Sequence, residues 1–245
     1  MQVLLTNDDG VEAPGLQAMH DSLTTFFEQA GQSVTLIVVA PDRGRSECSH
    51  TVTTTHDLLL TQTKPNWFHV DGTPVDCVRV ALKLLCPDAA MVFSGVNAGA
   101  NVGVDLLGSG TFAAAREAAI LDRPAMAISH YRRPDMPRTW AHCQAWLTES
   151  LRRFCDVVLP TKPSILWNVN LPAVDPDGPI PETVRCMVED QPLVRQGRLE
   201  PAGDPSCHRV EMRSDFHGRP RRVGSDVDVC FGGRISLSEI QPTLT

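Results

Sequence analysis

The chain has 245 residues, with 29 acidic against 22 basic side chains and a formal net charge of −7. At 42% hydrophobic and 21% charged it has the composition of a globular protein with a sizeable core, which excludes a disordered or membrane-embedded chain. The acidic balance and the small aromatic content (8 Phe, 4 Trp, 1 Tyr) exclude a bulk binder of nucleic-acid polymers, which needs clustered Lys and Arg or a stacking surface.

The opening Met1-Gln2-Val3-Leu4-Leu5-Thr6 lacks the basic head and long apolar run of a signal peptide. No apolar stretch reaches the roughly 18 residues of a membrane span. Residues 3–6 read as a short buried strand. Leu16, Met19, Leu23, Phe26, Phe27 and Ala30 then recur at helical spacing, with Gly31 as a C-terminal stop. Residues 34–40 form a near-continuous apolar run, as expected of a strand buried on both faces, and 51–61 reads as an extended arm or edge strand. Thr73-Pro74-Val75-Asp76 has the form of a helix start, with a cap, a proline at the first position and an anion in the first turn. That helix should run to about Leu85.

A strand is predicted at 91–94, an Ala-rich helix at 111–121, a strand at 125–129, an amphipathic helix at 137–154 and a strand at 165–170. This alternation implies βαβ units: an α/β, Rossmann-like three-layer core with a mainly parallel sheet. After Pro172 prolines and glycines become frequent, and short β-like pieces (183–188, 209–213, 226–231, 234–240) replace the rhythm. The expected division is a core of residues 1–171 and an irregular β-rich extension of residues 172–245 that serves as an oligomer contact. Eight cysteines without any C-x-x-C pair read as reduced thiols of a cytoplasmic protein.

Three strand ends carry ligand-suited chemistry. Thr6-Asn7-Asp8-Asp9-Gly10 places adjacent carboxylates at the carboxyl end of the first strand, where open α/β sheets bind ligands. Adjacent carboxylates repel unless a cation or proton relieves them. Either a hard divalent ion sits there, or one aspartate caps the helix near Pro14 and the other is solvated. Ala40-Pro41-Asp42-Arg43-Gly44-Arg45-Ser46 ends the second strand with a hydroxyl and two guanidinium groups suited to phosphate; taken alone it is also an ordinary loop in which Asp42 pairs with an arginine. The third strand ends in Ser94-Gly95-Val96-Asn97-Ala98-Gly99-Ala100-Asn101, and Gly108-Ser109-Gly110-Thr111 then opens a helix whose free N–H groups favour an anion. It is neither a Walker P-loop nor a dinucleotide fingerprint, which would come directly after the first strand.

In this order the segments resemble the SurE family, the survival protein E nucleotidases. The shared motifs are Leu4-Leu5-Thr6-Asn7-Asp8-Asp9-Gly10-Val11, Val39-Ala40-Pro41-Asp42-Arg43 with Arg45-Ser46, Gly72-Thr73-Pro74 with Asp76, Ser94-Gly95-Val96-Asn97-Ala98-Gly99 with Asn101, and Ser109-Gly110-Thr111. A weaker match continues through Asn168-Val169-Asn170-Leu171-Pro172 to Ser225-Asp226. The resemblance implies a metal-dependent 5′-nucleotidase hydrolysing nucleoside 5′-monophosphates, with 3′-monophosphates and short polyphosphate as further substrates. It implies one Mg²⁺ or Mn²⁺ held by Asp8, Asp9, Ser46 and Asn97. Asn101, Ser109, Gly110 and Thr111 fall where the family binds phosphate, and Asp8, Asp9 and Asn101 are the catalytic candidates.

A homodimer or homotetramer is the implied assembly. Many members continue into an exchanged helical tail, whereas this sequence ends at Thr245. Glu47-Cys48-Ser49-His50 departs from the small residues usual there, adding a negative charge and a candidate proton donor for the leaving group. The rival readings are a non-catalytic nucleotide-binding module, opposed by the intact Asp8, Asp9, Ser46 and Asn97, and an NAD-dependent oxidoreductase, opposed by the missing fingerprint.

Overall fold

The computed structural model describes residues 1–46, 48–161 and 165–243, apart from the side chains of residues 160, 161 and 205. In chain order the elements are β1 (Gln2–Thr6), α1 (Pro14–Gln29), β2 (Thr35–Pro41), β3 (Leu60–Lys64), β4 (Trp67–Val70), α2 (Pro74–Val80), β5 (Val92–Asn97), α3 (Gly110–Ile120), β6 (Ala125–His130), α4 (Cys143–Thr161) and β7 (Leu166–Leu171). They continue with β8 (Thr183–Arg185), β9 (Arg195–Ala202), β10 (Asp204–Ser214), α5 (Asp226–Phe231) and β11 (Ile235–Ile240). A π-helical turn, Ala81–Leu85, extends α2, and a 3-10 turn, Gly103–Gly108, precedes α3.

Period-two alternation along the strands builds three layers. Val3 and Leu5 of β1, Val38 and Ala40 of β2, and Phe93 of β5 turn to one face, where α1 and α4 cover them with Leu16, Met19, Trp146 and Phe154. Leu4, Val39 and Val92 turn to the other, under α2 and α3. Small residues on both sides, Ala125 and Ala127 of β6 against Ala114, Ala115 and Ala118 of α3, fit that helix closely to the sheet.

Among the described residues, nine strands form one sheet in the order β3-β4-β2-β1-β5-β6-β7-β11-β8. The run β4-β2-β1-β5-β6-β7 is parallel throughout, while β3 and β11 pair antiparallel with β4 and β7. β1 sits where the chain, having built outward through β2, crosses back to lay β5 on its other side. The carboxyl ends of β1 and β5 therefore flank the switch point of the sheet, the crevice where such folds take ligands. Two strands from beyond Pro172, β8 and β11, extend the same sheet, and β9 and β10 form a separate ribbon.

Local chemistry explains most element ends. α1 stops at Gln29, and Gly31 takes φ +65° as the expected terminator. The helix start at Thr73 is a complete capping box with Pro74 at the first position. Asp76 of that box is buried and accepts from the N–H and hydroxyl of Thr53 (3.1 and 2.7 Å) as well as the Thr73 N–H (2.9 Å), tying the arm after β2 to α2. Asp76→Ala orphans these donors and is expected to lower unfolding free energy by roughly 3 kcal/mol; an unchanged urea midpoint would contradict this role.

Three readings change. Residues 226–231 alternate like a strand but fold as α5, because Ser225 caps the Asp228 N–H at 3.3 Å and two aspartates occupy the first turn. α4 begins at Cys143 rather than near 137, since the preceding loop is held by Arg132, which donates to Thr139 O (3.0 Å) and stacks on Trp140. The short strand β4 lacks any cue beyond Trp67 and Phe68. All eight cysteines are free thiols, and no helix among the described residues is long and apolar enough to cross a membrane.

Candidate active site at the switch point

The turn after β1 is closed by Asn7, whose side-chain amide donates to Gly10 O (2.9 Å) while its oxygen accepts from Gly10 N (3.2 Å). Gly10 has φ +102°, and a Cβ there would stand 3.0 Å from the Arg43 carbonyl carbon, so the loops after β1 and β2 pack backbone to backbone. Val11 N donates to Pro41 O (2.9 Å) and Arg45 N to Asp8 O (2.7 Å). α1 is capped by Ala13 without any side-chain bond. Neither Asp8 nor Asp9 serves as its cap, and the helix-capping account of that pair falls.

The two aspartates instead reach across to the start of α3 and to the end of β5. Asp8, 5% exposed, accepts a hydrogen bond from the Thr111 hydroxyl in the first turn of α3. Gly110 is required beside it, since a Cβ there would lie 2.9 Å from Asp8 Cβ. Asp9 accepts from Ala98 N (3.2 Å), next to Asn97 at the end of β5. Burial pushes the Asp8 carboxyl up to about 6, opposed by the Thr111 bond and reinforced by the charge of Asp9. Burial raises Asp9 as well, against the Ala98 N–H.

No basic side chain among the described residues forms an ion pair with either carboxylate: Arg45 is spent on Asp42 (2.8 Å) and Asp71 O (2.8 Å), and exposed Arg43 lies 3.3 Å from Asp42. The arginines of the second loop thus follow the ordinary-loop reading and do not present a phosphate clamp. Two close carboxylates with a strained negative charge and no cation of their own fit a hard divalent ion. No group of three or more His, Cys, Asp or Glu gathers among the described residues, so further donors must be neutral oxygens.

Asn97 has one to offer, because its amide nitrogen is used on Gly99 O (2.9 Å) and its oxygen has no partner among the described residues. Ser46 is exposed one residue after the Arg45 that holds Asp8's carbonyl. Glu47 lies outside the described residues.

At α3, Ser109 caps the helix by accepting from Phe112 N (3.0 Å). The N–H groups of Gly110 and Thr111 belong to the first turn and lack intrahelical acceptors, the chemistry that suits a helix start to an anion. Asn101 donates through its side-chain amide to Ser129 Oγ (2.8 Å), and that amide keeps a second hydrogen. Its backbone is clamped from β7: Asn101 N donates to Asn170 Oδ1 (2.9 Å), and Asn101 O accepts from Asn168 (3.0 Å) and Asn170 (2.9 Å). Asn168 and Asn170 are fully buried, and sequence reasoning gave them no role. Their signal was two amides inside an otherwise apolar strand.

His50 is not free to protonate a leaving group. Its Nε2 meets Glu117 at 2.8 Å and its Nδ1 accepts from Arg116 at 3.1 Å. Glu117 is buried, yet bonds from His50 and Arg79 hold its carboxyl below the usual range against the upward push of burial. His50 fastens the loop after Ser46 to α3.

The sequence model of the family described as Survival protein SurE matches residues 3–190. A protein of Nostoc sp. (strain PCC 7120) is 39% identical over 241 residues, covering 98% of this chain and the whole of that one. One named 5′-nucleotidase SurE, from Neisseria gonorrhoeae, is 35% identical over 255 residues, covering 100% of this chain and 94% of its own length. Among solved structures, the SurE protein from Aquifex aeolicus superposes with a TM-score of 0.83 at 26% identity, over 100% of this chain and 95% of that one.

Proposed function

The chain belongs to the SurE family, and from that premise and the geometry of the strand ends we propose that it is a divalent-metal-dependent 5′-nucleotidase, releasing phosphate from nucleoside 5′-monophosphates. The observation that carries the reading is the meeting of the buried, unpaired Asp8 carboxylate with Thr111 at the start of α3. It sets a cation seat directly against an anion seat. Asp8, Asp9, Ser46 and Asn97 hold the ion, Mg²⁺ or Mn²⁺, and Asn101, Ser109, Gly110 and Thr111 hold the phosphate.

When bound, the ion supplies Lewis-acid polarisation of a phosphoryl oxygen and lowers the pKa of a nearby water. The protein's own groups do the rest. The Gly110 and Thr111 N–H groups and the spare Asn101 amide hydrogen receive the charge that grows on the transferring phosphoryl. Asp8 and Asp9 orient the attacking water and accept its proton. The Asn168–Asn170 clamp keeps Asn101 in place while this happens. The same seats accept 3′-monophosphates and short polyphosphate.

A homodimer or homotetramer is the proposed assembly, in the cytoplasm. Support comes from the β9–β10 ribbon, which holds Leu199, Val210 and Met212 more than 60% exposed, an apolar display that a partner surface would cover.

A metal-by-substrate panel tests the function. Purified protein with Mn²⁺ or Mg²⁺ is expected to release phosphate from AMP and GMP, and a chelator is expected to stop it. Release that survives chelation would remove the metal from the reading. Tight AMP binding without any release would leave a nucleotide-binding module.

A further inference from the structure

Beyond Asn97 and Asn101 the carboxyl edge of the sheet continues into a second recess. β6 lies beside β5 with Ser129 in register with Asn97, and the chain leaves β6 through Tyr131. Tyr131 is 4% exposed and stacks on Phe231 of α5, ring centroids 4.1 Å apart and planes 5° apart. Its hydroxyl meets His217 Nδ1 at 2.8 Å. Ala100 and Val102, from the loop that carries Asn101, pack into the same aromatic cluster. The candidate phosphate loop and this cluster therefore share a wall.

On the open side of the cluster is a cleft of about 460 Å³ lined by Tyr131, Arg133, Asp135, His217, Arg221 and Phe231. Phe231 is only half buried, and the His217 ring, tilted at 41° and 5.6 Å from Tyr131, is exposed. Arg133 and Asp135 fix each other by a two-point ion pair (2.7 and 3.0 Å) at its rim. Ring faces on the floor with donors and an acceptor at the edge match a planar heteroaromatic base joined to a hydroxyl-bearing sugar. β6 stands two strand spacings from β1, about 10 Å along the edge, a separation comparable to the length of a nucleoside monophosphate.

We infer that this cleft is the nucleoside subsite, where Phe231 and His217 take the base and the Arg133–Asp135 pair and Arg221 take the polar edges of base and ribose. It rests on the nucleotidase reading, whose phosphate seat it completes. Phe231 and His217 are specificity residues that touch the part of the substrate remote from the reacting phosphorus.

Steady-state kinetics with Mn²⁺ on AMP, ribose 5-phosphate and phenyl phosphate test it. AMP is expected to show a lower KM than ribose 5-phosphate in the wild type. In Phe231→Ala the ratio of kcat/KM for AMP to that for phenyl phosphate is expected to fall about ten-fold, equivalent to about 1.4 kcal/mol, through KM. His217→Ala, an exposed position that does not endanger folding, is expected to lower the same ratio. Equal KM values for AMP and ribose 5-phosphate, or an unchanged ratio in His217→Ala, overturn the subsite. Should the wild type release no phosphate from AMP, the nucleotidase reading fails, and equilibrium dialysis with adenosine still decides the cleft. Adenosine bound by the wild type and lost in His217→Ala supports it; no adenosine bound overturns it.

Discussion

Asp9→Asn is expected to lower Mn²⁺-supported hydrolysis of AMP by roughly 10³-fold, since Lewis-acid assistance is worth several kcal/mol and each 1.36 kcal/mol is a factor of ten. The substitution keeps the shape of the side chain and its bond from Ala98 N, so the turn after β1 stays closed by Asn7. What it removes is one of the two charges of the proposed cation seat. Thermal unfolding supplies the second readout. A ligand that binds only the folded protein stabilises it by about 2.7 kcal/mol at a concentration of one hundred times its Kd, so Mn²⁺ is expected to raise the Tm of the wild type and not that of the variant. A variant that hydrolyses AMP at the wild-type rate, or gains the same Tm from Mn²⁺, would remove Asp9 from the site.

The second large effect concerns stability in acid. His130 ends β6 and His142 precedes α4; both are buried, with their Nε2 atoms 2.6 Å apart. His130 Nδ1 donates to Tyr131 O (2.8 Å), which leaves His130 Nε2 as the acceptor of the His142 Nε2–H, and His142 Nδ1 without a partner among the described residues. This geometry needs His130 neutral, and the buried, unpartnered Nδ1 leaves His142 no acceptor for a second proton. Burial first, and then the charge of Arg132, hold His130 down to about 3 and His142 to about 4. The unfolded chain takes up these protons near 6.5, so it binds more protons than the folded chain at mildly acidic pH, and stability falls as pH falls through that value.

Between neutrality and pH 5 the loss is about 2 kcal/mol for each ring, or about 4 kcal/mol for the pair. It levels off only where the folded protein itself protonates. Urea unfolding at pH 7.5 and pH 5.0 measures this drop less the opposite contribution of the raised Asp8 carboxyl, and His142→Gln is expected to shrink it by about 2 kcal/mol. Equal drops in wild type and variant would show that other groups carry the acid sensitivity.

The range of each interaction decides how legible it is in the chain. The α/β alternation was legible because each strand buries a side-chain row on both faces, which writes runs such as 34–40 into the chain. The helix start at Thr73 and the stop at Gly31 were legible because three or four consecutive residues make them. Residues 226–231 misled because their period of two suits a strand, while the deciding bond comes from Ser225 just before them. The pairing of His130 with His142 and the hold of Glu117 on His50 left no pattern, since each joins elements through a loop or across a helix face.

The candidate site divides along the same line. Its inventory of carboxylates, amides and a glycine-rich helix start is local. So was its place at strand ends, because a chain leaving a buried strand must turn at the rim of the sheet and expose the residues of that turn. Contacts between residues 8 and 111, 9 and 98, and 101 and 170 close across as many as 103 residues. They exist because parallel strands with crossovers place β1, β5, β6 and β7 side by side. Composition and motif order therefore announced which groups this protein carries. Which of them face one another, and that the arginines turn away, depended on sheet order and helix packing that no single stretch of chain encodes.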